Sequence, residues 1–372
     1  MLEGLGASHE TVRAKHGWRE TAVNPLKATL PLIDRLPVSI SHVALGRFPS
    51  PVEWFPAWGA ALGFESLCVK REDLSGDELG GHKVRALEWL LPDAGPVVVT
   101  AGGFGSSFAA TLASAARRTG RIAAVALFPQ PWTDDVGRML ARTAATATVT
   151  LARSRTALPL ALFEAWRGAR LHGVPTWIPG GGASAVGVLG SVNAALEFVG
   201  QIEAGDDKRP DVIVIPLGSG GTAAGILLGL SLAGWRTPVV AVVVADRVVA
   251  NSLTVGWLAW RARRLLARHG LAVPVPLGPL HVVQGLLGRG YGHPTPAAMR
   301  ASVAAARQGL HVDQTYGAKT FAVLEALQGS FRRPCFWHTF DSRGTLDPPE
   351  EPALLQRARE YAEVLWPNRK SI

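Results

Sequence analysis

The stretch "PDVIVIPLGSGGTAAGILLGLSLAGW", Pro210 to Trp235, limits the possible folds more than any other part of the chain. Ile213 to Leu217 form an apolar run without polar alternation, the pattern of a strand buried on both faces. Gly218, Ser219, Gly220, Gly221 and Thr222 make a tight loop, and a helix starts straight after. Buried strands joined through helices imply parallel α/β layers.

The rest of the sequence repeats the form. "SLCVKRED", "PVVVTAGG", "IAAVALF", "TATVTLA", "PVVAVVVAD" and "PCFWHTF" read as strands. Between them lie helical patterns, among them "VRALEWLL", "FAATLASAARRTG", "SAVGVLGSVNAALEFVGQIEAG" and "SLTVGWLAWRARRLLARHG". "AKTFAVLEALQG" reads as one further helix, and "LDPPEEP" as a linker to a terminal helix, "ALLQRAREYAEVL". Two such series predict an α/β chain of two doubly wound domains with mostly parallel sheets. Residues 1–82 plus 190–372 make the larger domain and 83–189 the smaller, with 346–372 a C-terminal extension of the larger.

Charge and composition remove several function classes. The net charge is +9, which could serve nucleic acid. Its densest run, "RARRLLARHG", instead reads as the solvated face of a helix, with no aromatic residues interleaved for stacking on bases. The longest apolar run, Thr222 to Trp235, is too short to span a bilayer. The opening "MLEGLGASHETVRAKHGWRE" lacks the order of a signal peptide, so a cytoplasmic protein with neither nucleic-acid nor membrane partner is expected. Cys68 and Cys335 read as buried free thiols, and no histidine spacing such as HExxH offers a metal site.

The glycine loop carries chemistry. Backbone N–H groups, the Ser219 and Thr222 hydroxyls and the helix dipole together suit a phosphate. No Walker lysine is present, which removes a P-loop NTPase. Gly218, Gly220 and Ala223 also match a loose dinucleotide fingerprint, with Asp246 placed to bind a ribose, so an NAD-dependent dehydrogenase is a rival reading. In "ELGGHKVRALEWLL", Lys83 opens a helix. The positive dipole end and partial desolvation both disfavour an ammonium there, and a neutral amine can form a Schiff base. An amine and a phosphate site together suit a cofactor bearing an aldehyde and a phosphate: pyridoxal phosphate.

The chain resembles the 1-aminocyclopropane-1-carboxylate deaminases and D-cysteine desulfhydrases, which have the tryptophan-synthase-β-like fold of pyridoxal phosphate enzymes. The likeness runs from roughly Ala44 to Thr339, through "VKREDLSGDELGGHKVRALEWLL", "TAGGFGSSFAATLASAARRTG", "IPGGGASAVGVLGSVNAALE", "IPLGSGGTAAG", "GRGYGHPTPAAM" and "VDQTYGAKTFAVLEAL". It implies that Lys83 holds the cofactor and that Ser219, Gly220, Gly221 and Thr222 bind its phosphate. Ser106 would meet the substrate carboxylate, Tyr291 and Tyr316 would be the two active-site tyrosines, and the assembly would be a homodimer.

Some positions depart from the family. His82 stands where Asn is usual, and Ser107 stands where an Asn meets the ring oxygen. Gly317 follows the second tyrosine in place of the Glu of deaminases or the Thr of desulfhydrases. "HTFDSRG" replaces a glycine-rich ending, leaving Thr339 or Ser342 to face the pyridine nitrogen. Without the deaminase glutamate, the expected function is a lyase acting on a small amino acid by desulfhydrase-like elimination, releasing ammonia and a keto acid. The alternatives are ring opening of aminocyclopropane carboxylate and a divergent enzyme with a specialised biosynthetic substrate.

Overall fold

A computed structural model describes residues 31–36, 39–76, 80–205, 209–340 and 352–367. The strands are β1 (Val52–Trp54), β2 (Cys68–Arg71), β3 (Val97–Gly103), β4 (Ile122–Phe128), β5 (Thr148–Leu151), β6 (Pro175–Trp177), β7 (Val212–Leu217), β8 (Val239–Val243), β9 (Leu280–Val283) and β10 (Pro334–His338). The helices are α1 (Leu32–Arg35), α2 (Pro56–Ala61), α3 (Lys83–Leu90), α4 (Ser107–Arg118), α5 (Asp134–Ala144), α6 (Leu158–Ala169), α7 (Ala185–Ala204), α8 (Gly221–Leu232), α9 (Ser252–Arg268), α10 (Pro296–Ala306), α11 (Gly317–Phe321) and α12 (Pro352–Leu365).

The strands form a six-stranded sheet in the order β1-β2-β10-β7-β8-β9 and a four-stranded sheet in the order β5-β4-β3-β6. Every pairing is parallel except β1 with β2. The Val/Ile runs are buried on both faces, as their lack of alternation predicts. Ile213, Ile215, Val239 and Val243 face the core under α7, α8 and α9. Val212, Val214, Val240 and Val242 face the opposite core, with Phe321 and Ala301. In the smaller sheet, Val98 and Ala123 pack beneath α3 and α4, while Val97, Val99 and Ala124 pack against α6.

Helix α7 is long and apolar enough to cross a bilayer, but it is a core element: Val188, Val192, Leu196 and Val199 are fully buried. It starts at Ala185, so a boundary between residues 189 and 190 falls inside an unbroken helix. The C-terminal segment also departs from expectation. Leu354, Leu355, Ala358 and Tyr361 of α12 pack with Phe104, Val125, Leu127 and Leu140, on the smaller sheet's side. The sequence expectation attached this segment to the larger domain, but its apolar stripe is covered by α4 and α5 of the smaller one. The "LDPPEEP" linker lies outside the described residues, apart from Pro352 at the start of α12.

"AKTFAVLEALQG" does not form one helix. After α11 the hydrogen bonds tighten, from Val323 N to Thr320 O (3.2 Å) and from Ala326 N to Val323 O (2.9 Å), and a 3₁₀ turn follows over Leu324–Leu327. The tighter winding keeps Phe321, Leu324 and Leu327 on one core. Phe321 stacks on Trp58 at 4.8 Å.

Side-chain caps fix several helix starts. Ser106 accepts from Ala109 N at 3.2 Å, Thr133 from Val136 N at 3.3 Å, and Asn251 from Thr254 N at 2.9 Å. Helix α8 has no such cap. Its N-cap is Gly220, in the left-handed region at φ 85°.

Candidate active site

The loops after β3, β6, β7 and β10 converge on one cavity of about 440 Å³, which Lys83, Ser106, Gly181, Ser219, Tyr316 and Thr339 all help to line. Ser107, Gly220, Thr222 and Tyr291 line it too. Ligands in open α/β folds bind at the carboxyl ends of strands in this manner. The remaining predicted phosphate residue, Gly221, opens α8 beside them.

Lys83 is the first residue of α3, and its Nζ donates to the carbonyl of Gly181 at 3.4 Å. Burial alone pulls its pKa down from 10.5 to about 8. The "GGG" turn at Gly180–Gly182 brings the amine and the phosphate loop together. A Cβ at Gly181 would lie 2.5 Å from Ser219 Oγ and 3.6 Å from Lys83 Nζ, and the residue has φ 70°. Only glycine fits there without moving one of these groups. Sequence reasoning quoted this triplet without giving it a role.

The loop and the amine suit pyridoxal phosphate. The first helical N–H groups of α8 have no intrahelical acceptor, and no side chain caps them. Ser219 and Thr222 add hydroxyl donors beside them, so an anion would be held there by dipole and hydrogen bonds. A half-buried amine with a lowered pKa in the same cavity supplies the group an aldehyde requires.

The two tyrosines, 25 residues apart in sequence, meet directly. Their hydroxyls share a hydrogen bond of 2.6 Å. Burial pushes both phenols above their ordinary pKa, so each is a protonated donor at neutral pH. Asp313 positions Tyr316 by accepting from the N–H groups of Thr315, Tyr316 and Gly317 at 2.9, 2.7 and 2.8 Å. A Cβ at Gly317 would lie 3.1 Å from Val312 Cβ and 3.2 Å from Asp313 Oδ1, so this position serves the turn. Phe340, which sequence reasoning passed over, lies on Tyr316 with ring centroids 6.5 Å apart.

His82 is bound to the far wall of the cavity. Its backbone N–H and its ring Nδ1 both reach the carbonyl of Thr339, at 3.0 and 2.9 Å. Burial, with Lys83 adding to it, holds the imidazole well below its ordinary pKa. It is therefore neutral, with Nδ1 as the donor. Thr339 itself is buried. Ser342, the other residue nominated for the ring nitrogen, lies outside the described residues.

Beneath α3 runs a buried ionic network that the sequence did not reveal. Arg85 donates to Glu72 at 2.6 and 2.8 Å and to Glu197 at 2.8 Å. Lys70 donates to Glu197 at 2.5 Å and to Gln201 at 2.7 Å. Burial pushes the Glu72 carboxyl up, yet Arg85 and Lys70 together hold it below its ordinary pKa.

The family described as "Pyridoxal-phosphate dependent enzyme" matches residues 43–339. The chain belongs to this family. Among similar proteins, a nocardicin C-9' epimerase of Nocardia uniformis subsp. tsuyamanensis is 34% identical over 336 residues, covering 84% of this chain and 98% of that protein. A putative 1-aminocyclopropane-1-carboxylate deaminase of Thermotoga maritima is 28% identical, covering 80% and 95%. A D-cysteine desulfhydrase of Salmonella typhi is 29% identical, covering 74% and 85%. The solved structure of an ACC deaminase homologue is 27% identical with a TM-score of 0.67, covering 87% of this chain and 96% of that one. The chain is thus a pyridoxal phosphate-dependent enzyme of the deaminase and desulfhydrase type, divergent from each named relative. The family assignment replaces the dehydrogenase reading of the Gly218 loop. Asp246, its supposed ribose ligand, is ion-paired with Arg155.

Proposed function

We propose that this enzyme removes the α-proton of a small amino acid and expels a β-substituent, releasing ammonia and a keto acid as a D-cysteine desulfhydrase would. The observation that carries the reading is a neutral-prone, half-buried amine, Lys83, in one cavity with a hydrogen-bonded pair of protonated tyrosines. Bound pyridoxal phosphate supplies the electron sink that makes the α-carbon acidic. The chain's own groups do the rest. Ser219, Gly220, Gly221 and Thr222 hold the phosphate. Ser106, at the start of α4, receives the substrate carboxylate with the positive end of the helix behind it. Lys83 accepts the α-proton at Nζ. The Tyr291–Tyr316 pair delivers a proton to the departing group. With Gly317 committed to the Asp313 turn, no carboxylate stands where cyclopropane opening uses one.

Capture of pyridoxal phosphate by the apo-chain is expected to accelerate as pH rises through about 8, because the attacking species is the free amine of Lys83. Folding lowers this pKa, so the ammonium form is penalised most below that value and the amine accumulates above it. Borohydride trapping with mass analysis at Lys83 reads the rate. A flat profile would show that burial does not set the amine's protonation.

A second reading, epimerisation at the α-carbon, is supported by the match to the nocardicin C-9' epimerase over 98% of that protein. Here the tyrosine pair would return a proton to the face opposite the amine. Both readings are tested by supplying D- and L-cysteine, D- and L-serine and aminocyclopropane carboxylate in deuterium oxide. Release of ammonia and keto acid supports elimination. Deuterium at an intact, inverted α-carbon supports epimerisation. A chain with cofactor bound on Lys83 that does neither overturns both.

A further inference from the structure

One charged pair lining the cavity has no role in the reading above. Arg155 lies in the turn after β5 of the smaller sheet, and Asp246 lies after β8 of the larger. Their side chains form an ion pair across the cavity and both line it. The Arg155 guanidinium packs 4.8 Å above the ring of Phe128 and lies 5.9 Å from that of Tyr291. With His82 neutral, Lys83 and Arg155 are the two cations among the described residues that line the cavity.

The roles of these two cations differ. Lys83 is half-buried at the reacting centre, beside Gly181. Arg155 and Asp246 are 40% and 51% exposed, which places them at the mouth. An ion pair at that exposure is screened, so exchanging one of its partners costs little. An arginine seated on an aromatic face offers a planar fork matched to a carboxylate. Asp246 engages Nη1 alone among the described residues. With the phosphate at the Gly218 loop and the substrate carboxylate at Ser106, the group that reaches the mouth is the substrate's side chain.

We propose that Arg155 selects amino acids whose side chain ends in a carboxylate, and that Asp246 holds its place until that carboxylate displaces it. The inference rests on the reading of the cavity as an amino-acid site. Asp246 keeps the fork oriented between turnovers and repels anions too weakly bound to compete for Arg155. A neutral side chain would gain nothing by displacing it.

The test uses the chain loaded with pyridoxal phosphate. Both enantiomers of aspartate, glutamate and 2-aminoadipate are titrated against asparagine, glutamine and norvaline, and the change in the visible band gives each affinity. At least one acid is expected to bind about tenfold more tightly than its neutral counterpart, the scale of one charge-assisted hydrogen bond. Arg155→Ala should bring that ratio to about one with the neutral affinities kept, and Arg155→Lys should restore part of it. Asp246→Asn should raise the ratio, a gain that a merely structural tie between the sheets would not produce. Equal affinities in the parent chain, a preference surviving in Arg155→Ala, or a ratio unmoved by Asp246→Asn would overturn the role of Arg155. A loaded chain with no visible band and no borohydride adduct on Lys83 would instead overturn the parent reading, and this one with it.

Discussion

Lys83→Ala is expected to lower turnover by about 10³-fold or more and to remove the band that borohydride erases. The size follows from the two tasks of this one amine, covalent anchorage and proton transfer at the α-carbon. No second lysine lines the cavity among the described residues. Lys319, also held near a pKa of about 8 by burial, donates instead to the carbonyl of Leu287. The variant should still bind pyridoxal phosphate through Ser219, Thr222 and the start of α8, but lose it on dialysis. Retention of a borohydride-reducible adduct after the substitution would move the anchor to another lysine.

Glu72→Gln is expected to destabilise the chain by about 3–5 kcal/mol, the cost of leaving one partner of a buried pair uncompensated. Lys70, Arg85, Glu72 and Glu197 balance in charge. Removing Glu72 alone leaves an excess cation in a closed site where Arg85 and Glu72 are almost fully buried. The double variant Glu72→Leu with Arg85→Met removes one charge of each sign and keeps the Lys70–Glu197 pair, so it should cost less than the single substitution. Urea unfolding of both variants decides this. A single variant as stable as the parent would show that the network contributes specificity without stability. Because Arg85 is two residues from Lys83 on α3, the single variant should also hold the cofactor less tightly.

The sheet architecture and most of the cavity were legible in the sequence because their signals are local. Unalternated Val/Ile runs report strands buried twice, and a glycine loop between strand and helix reports an anion site by its own composition. Lys83 and the tyrosines were found through ordered motifs. Arg155 was not, and could not be: the chain has 38 lysines and arginines, and nothing near residue 155 marks the one that crosses to Asp246. The charge network escaped for the same reason, since Lys70 and Glu197 meet across 127 residues of sequence. The placement of α12 was misread because an amphipathic stripe states that it will be covered but not by what. The break after α11 follows from tertiary packing that overrides a regular 3.6-residue pattern.

The seating of α3 has a mechanical consequence. Val84, Leu87 and Leu91 bury into the smaller sheet's core, while Trp89 buries into the core around α7. A Cβ at Gly190 of α7 would lie 2.2 Å from the carbonyl oxygen of Arg85, so the two backbones are in direct contact. The helix that begins with Lys83 is therefore clamped to both halves of the molecule. A displacement of one sheet against the other would have to break the helix's packing on one side, whereas the loops that carry Arg155 and Asp246 are joined by an exposed ion pair.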